Sequence, residues 1–170
     1  MTKQHSDNDA LQQDDLAIGK GATPGSYLLL LHCETAQWVE VGKLGRLEVR
    51  PGWYLYAGSA FGPGGVRARC RRHWLGGRPH WHMDYLRPHC RLAAIWYSHD
   101  SRNQEHRWTK LLSAYRGAQL PFAGFGASDC DCESHLIRMT RCPSLRGFRR
   151  RVRQALPDHA PILELTLPST

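Results

Sequence analysis

Apolar residues in this chain fall in short runs of strand length, punctuated by glycine and proline, and only a few stretches repeat at the helical period. Residues 26–32 contain four consecutive leucines, Leu28 to Leu31, the pattern of a strand covered on both faces. Residues 37–41 and 46–49 alternate apolar and polar positions around Gly42-Lys43-Leu44-Gly45, which predicts a hairpin. After Pro51-Gly52, residues 53–59 put Trp53, Leu55 and Ala57 on one face and Tyr54, Tyr56 and Gly58 on the other. Residues 91–97 predict a further strand, residues 79–86 a short turn or helix, and residues 134–139 a last strand or helix.

A helix over residues 65–74 places Val66, Arg69, Cys70, His73 and Trp74 on the stripe that faces a core. An inward guanidinium is shaped to grip an anionic oxygen; it can equally pair with a carboxylate such as Asp84 or extend past Trp74. Ser101 and Gln104 predict a capping box opening a second helix, with Trp108, Leu111, Leu112 and Tyr115 as its apolar stripe and Glu105 at its start. Between Arg138 and Arg153 stand seven arginines and no carboxylate, while Leu145, Phe148, Val152 and Leu156 recur at helical spacing. These elements predict one α/β domain of the α+β kind, a small, mainly antiparallel sheet flanked by helices. Residues 1–23 read as a flexible leader, 24–140 as the domain and 141–170 as a basic amphipathic extension.

Charge narrows the partner. The formal net charge is +8 over 170 residues, and Arg supplies 19 of the 23 cationic side chains, so the surface suits polyanions and nucleic acid in particular. The longest aliphatic run is too short to span a bilayer, and the N-terminal segment lacks a basic and apolar secretory pattern. A cytoplasmic protein with its six cysteines reduced is expected, with no membrane partner. Cys130, Cys132 and His135 are soft ligands at close spacing, but closing a zinc site needs a fourth ligand from afar. A reduced loop or a redox-sensitive thiol pair competes with that reading.

The order Gly25-Ser26-Tyr27 on a strand, Tyr56-Ala57-Gly58 on another, Arg69 with His73 on a helix and Glu105 on a later helix resembles the GIY-YIG nuclease superfamily. Three longer runs, residues 58–65, 80–86 and 124–136, resemble the branch catalogued as domain of unknown function 123, sometimes fused to endonuclease III-like repair enzymes. The resemblance extends over about residues 24–139.

It implies phosphodiester hydrolysis, in DNA before RNA, with one Mg²⁺ or Mn²⁺ held by Glu105 and DNA-repair proteins as possible partners. Tyr27 is then the base or its partner, and Tyr56 orients water or phosphate. Arg69 clamps the phosphate, His73 shuttles a proton or orients Tyr27, and His82, preferred to His80 on spacing, is the later histidine. Gly58 would let the backbone approach the substrate. Arg67, Arg71 and Arg72, together with Arg149, Arg150 and Arg151, would add phosphate contacts. Structural readings stand beside these: Tyr56 as a packing aromatic, His73 as a core histidine, Glu105 as a first-turn carboxylate. The long separation of Tyr27 and Tyr56 requires a looped-out meander, and since Asn103 precedes Glu105, Ser128, Asp129 or His135 must stand in for the superfamily's late asparagine. A nucleic-acid-binding module without catalysis and a zinc-stabilised interaction domain are the alternative functions.

Overall fold

The computed structural model describes Ile18, residues 21–165 and Leu167. Its main sheet has five antiparallel strands in the order β6-β4-β1-β5-β7. These are β1 (Ser26–Cys33), β4 (Gly52–Ser59), β5 (Arg91–Ser98), β6 (Leu136–Met139) and β7 (Leu163–Leu165). The strand with four consecutive leucines, β1, is central, and Leu28 to Leu31 are all buried because neighbouring elements cover both faces of the sheet. Between β1 and β4 the chain forms a separate two-stranded sheet, β2 (Gln37–Val41) with β3 (Gly45–Val49). The meander is thus looped out, and β1 pairs directly with β4 along its full length.

Alternation along the strands divides the core in two. Tyr27, Leu29, Leu31, Tyr54 and Tyr56 share one cluster with Val66 and Cys70 of helix α1 (Gly65–Leu75), Met83 and Leu86 of α2 (His82–Leu86), and the β2–β3 hairpin. Leu28, Leu30, Leu55 and Ala57 share the other with Trp108 and Leu112 of α3 (Glu105–Ser113) and Phe148 and Val152 of α4 (Leu145–Ala155). Helix α1 buries Val66, Cys70 and His73 as its periodicity predicts, and the buried imidazole finds a partner across the interface. His73 Nε2 lies 2.9 Å from the Tyr27 hydroxyl.

Several expectations change. No capping box forms from Ser101 at α3. Asn103 Oδ1 accepts the Glu105 backbone N–H at 3.0 Å instead, and Gln104 turns back to donate to Asp100. Cys33 and Cys90 are paired as a disulfide, contrary to the expectation of six free thiols, since β1 and the start of β5 bring them together. The described residues after 140 contribute to the core: Ser144 caps α4, Phe148 packs on Trp96 and Trp108, and β7 extends the sheet. The predicted leader falls largely outside the described residues, yet Ile18 is buried in the core and the Thr23 carbonyl accepts the Val66 N–H. Among the described residues no helix is long and apolar enough to cross a membrane.

Two stability tests follow from this packing. Burial pulls the pKa of His73 down to about 4; Asp84 favours the cation, while Arg69, Arg72 and Arg87 oppose it. Above pH 6.5 the imidazole is neutral in folded and unfolded chains, and its full contribution is present. As pH falls from about 6.5 to about 4, only the unfolded chain gains the proton, so stability is lost by up to about 3 kcal/mol. The stability difference between wild type and His73→Gln, from urea midpoints, should therefore shift across that window; a difference independent of pH would refute a neutral buried imidazole. Phe148→Ala should cost about 3 to 5 kcal/mol in the same assay, because it removes a ring buried between two tryptophans.

Candidate functional site

A cleft of about 480 Å³ opens at one end of the sheet, and Tyr27, Tyr56, Arg69, His82 and Glu105 all line it. Residues from β1, β4, α1, α2 and α3 therefore meet at one place. The register explains the first pair. Tyr27 stands opposite Gly58, and a Cβ added at Gly58 would lie 2.5 Å from the Tyr27 oxygen. The glycine thus seats the phenol, where sequence reasoning had placed it against the substrate. Tyr56 is accommodated in the same way by Gly126, whose φ of +71° suits glycine and whose Cβ would fall 2.6 Å from the Tyr56 ring.

Both phenols are neutral at pH 7. Burial pushes the Tyr27 pKa well above its usual range, Tyr56 and Cys70 add to the rise, and Arg69 only partly opposes it. Burial raises Tyr56 as well, with Glu105, Asp84 and Asp129 reinforcing the shift. His73 does not line the cleft; it sits behind Tyr27, bonded to its hydroxyl.

Arg69 lies over the ring of Trp81, with Cζ 4.3 Å from the centroid, and its buried Nε has no hydrogen-bond partner among the described residues. The carboxylate considered for it, Asp84, is taken by Arg72 at 3.0 Å. Asp84 also accepts the backbone N–H groups of His80 and Trp81, both at 2.9 Å. Burial alone would raise the Asp84 pKa, but these hydrogen bonds outweigh it and keep the group ionised. Arg72 is thereby a brace: it fixes the segment that carries Trp81, and Trp81 supports Arg69.

His82 Nδ1 accepts the Gly126 N–H at 2.9 Å, which assigns the ring proton to Nε2, and burial lowers its pKa so that the neutral form dominates at pH 7. His80 also lines the cleft. Glu105 is the first residue of α3, with a side chain 16% exposed. Asn103 Nδ2 donates to its Oε1 at 3.1 Å, and His106 Nε2 lies 3.3 Å from the same oxygen. Ser26 Oγ accepts the Gln104 N–H at 2.9 Å, so the residue between Gly25 and Tyr27 pins the start of α3 to the central strand.

Other candidates lie elsewhere. Arg67 and Arg71 share α1 with Arg69 but do not line the cleft. Arg149, Arg150 and Arg151 belong to α4, which packs on the opposite face of the sheet. Arg149 donates twice to the Ile162 carbonyl, and Arg151 lies over Tyr115. Sequence reasoning missed Ser59, Trp81 and Asn103 as lining residues; Ser128 and Asp129, weighed only as substitutes for an asparagine, line the cleft too. A second cluster adjoins it: His106, Cys130, Cys132 and His135 bring four potential metal-ligating atoms within 4.8 Å of one another. His106 follows Glu105 in sequence, but no local spacing signals its approach to residues 130–135.

No curated protein and no solved structure matches the chain. A family model described as Domain of unknown function DUF123 matches residues 26–157, from the first residue of β1 to just beyond α4. That span holds the cleft, both helical layers and four of the five strands of the main sheet, and on this match the chain belongs to the DUF123 family.

Proposed function

We propose that the protein is a metal-dependent endonuclease that hydrolyses phosphodiester bonds in DNA. The observation that carries this reading is the convergence on one cleft of an arginine whose buried Nε has no hydrogen-bond partner among the described residues, a carboxylate, two neutral phenols and a neutral histidine, within a chain of net charge +8. Each group suits a phosphodiester. Arg69 retains donor capacity for an anionic oxygen, and its stacking on Trp81 holds the guanidinium in place before substrate arrives. His82 offers an Nε2–H donor to a phosphoryl or leaving oxygen.

Tyr27 is a poor base by itself, because forming a buried phenolate near neutral pH requires more than the roughly 4 kcal/mol that separates an ordinary tyrosine from pH 7. His73 does not remove that cost: with a pKa of about 4 it takes up a proton reluctantly at pH 7. The pair serves as a neutral hydrogen-bonding unit that orients water or phosphate, and Arg69 is the nearby charge that favours phenolate character. The donor set also fits a hard cation. Glu105, with Asp129 at the same cleft, would hold Mg²⁺ or Mn²⁺, which supplies positive charge for the oxygens that become negative during hydrolysis.

With Mg²⁺ or Mn²⁺ the purified protein should nick supercoiled or branched DNA, chelation should stop it, and Glu105→Ala should lose cleavage while retaining binding. Arg69→Ala should lower kcat by about 10²- to 10³-fold with a smaller effect on affinity, whereas Arg71→Ala should change turnover little. Equal damage from both variants would remove the special role of Arg69. Absence of cleavage across a broad substrate panel, with binding intact, would favour a nucleic-acid-binding module.

The exposed arginines of α4 permit a separate test, because they can be neutralised without opening the core. Replacing Arg146, Arg150 and Arg153 by Gln should reduce the slope of log affinity against log salt on duplex DNA by about 0.9 for each phosphate that is no longer neutralised. An unchanged slope would show that this face does not grip the backbone.

A further inference from the structure

The cluster beside the cleft has the composition and closure of a metal site, and none of the chemistry above employs it. Cys130 and Cys132 lie on the loop after Asp129, His135 leads into β6, and His106 reaches them from the first turn of α3. His106 Nδ1 is 2.8 Å from Cys132 Sγ, and His135 Nε2 is 3.3 Å from Cys130 Sγ. A tetrahedral zinc ion, with Zn–S of about 2.3 Å and Zn–N of about 2.0 Å, keeps its ligand atoms roughly 3.3 to 3.8 Å apart. The observed set, all within 4.8 Å, reaches that geometry through side-chain adjustments of about 1 Å. Two thiols and two imidazoles are soft and borderline ligands, which select zinc over magnesium or calcium.

The fourth ligand that the Cys130-x-Cys132-x-x-His135 pattern lacks is therefore His106, and its other nitrogen identifies a further participant. His106 Nε2 lies 3.3 Å from Glu105 Oε1. A metal-ligating histidine commonly donates its remaining N–H to a carboxylate, which fixes its tautomer and strengthens it as a ligand.

We propose that His106 Nδ1, Cys130 Sγ, Cys132 Sγ and His135 Nε2 bind a structural Zn²⁺ ion, and that Glu105 orients His106 as its carboxylate partner. Four protein ligands close the coordination sphere, so the ion organises structure and leaves no position for substrate. On binding, the two thiols release their protons to solvent and coordinate as thiolates. The ion ties the start of α3, which carries Glu105, to the loop that supplies Gly126, Ser128 and Asp129 to the cleft wall. His135 is already anchored there: its N–H donates to the Phe125 carbonyl, and its carbonyl accepts from Ala57, next to Tyr56. The importance of this link for catalysis rests on the proposed nuclease reading, but occupancy of the site does not.

The test uses the full chain under reducing conditions and reads metal, independently of cleavage. The protein as purified should contain one zinc per chain by elemental analysis. After chelation, Co²⁺ should restore one equivalent with thiolate-to-cobalt charge-transfer absorption and the intense d–d bands of tetrahedral coordination. Cys130→Ser/Cys132→Ser should lose the charge-transfer band. Glu105→Gln should keep the stoichiometry while zinc affinity, measured against a competing chelator, falls by about 10- to 100-fold. Protein that is metal-free as purified and gives only weak octahedral cobalt bands would overturn the site, as would a double-serine variant with an unchanged spectrum. Wild-type zinc affinity in Glu105→Gln would overturn the role of the carboxylate.

Discussion

The buried hydrogen bond between Tyr27 and His73 sets the geometry on which the cleft depends. Each group is costly to desolvate alone, and together they fix both the azimuth of α1 against the sheet and the direction of the phenol. With α1 held in that phase, Arg69 emerges one turn before His73, at the edge of the interface and over Trp81. A helix rotated by one residue would bury Arg72 or Arg69 outright and leave Tyr27 without a partner. The position of the arginine is thus a consequence of satisfying a buried phenol.

Much of this was legible in the sequence because it is local. The strand carrying four leucines, the period-two face of Tyr54, Tyr56 and Gly58, and the inward phase of Val66, Cys70 and His73 all follow from alternation or helical spacing. Long-range chemistry was less legible. That Gly58 yields space to a ring on the neighbouring strand depends on register, and that Arg72 takes Asp84 while Arg69 keeps an unpaired nitrogen depends on how α2 folds back on α1. The approach of His106 to Cys130 and Cys132 depends on α3 and the 124–135 loop meeting at the sheet end. The amphipathic pattern of α4 was visible, but charge drew attention to its arginines when Phe148 and Val152 determine where it sits. Short β7 carried too little pattern to be found.

The two faces of the sheet consequently do different work. One holds the phenols, α1 and α2, with polar groups drawn into its edge. The other is an aromatic contact of Trp96, Trp108 and Phe148 that positions α3 and thereby the carboxylate at its first residue. Ser26 joins the two: it belongs to the central strand, accepts from Gln104 at the start of α3, and precedes Tyr27 on the cleft side.

The central place of β1 has a consequence for synthesis. This strand leaves the ribosome before any of its partners, with β4 beginning at Gly52, β5 at Arg91 and the helix that seals its second face at Leu145. Before those partners emerge, Leu28 to Leu31 form an uncharged strand segment with two open edges, the kind of sequence that pairs readily with another nascent chain. The β2–β3 hairpin closes on itself meanwhile; it packs on the face that carries Leu29 and Leu31 but pairs with neither edge of the strand. The interval between translation of the first strand and of its partners is therefore the stage at which the central segment of the sheet is most open to pairing with another chain.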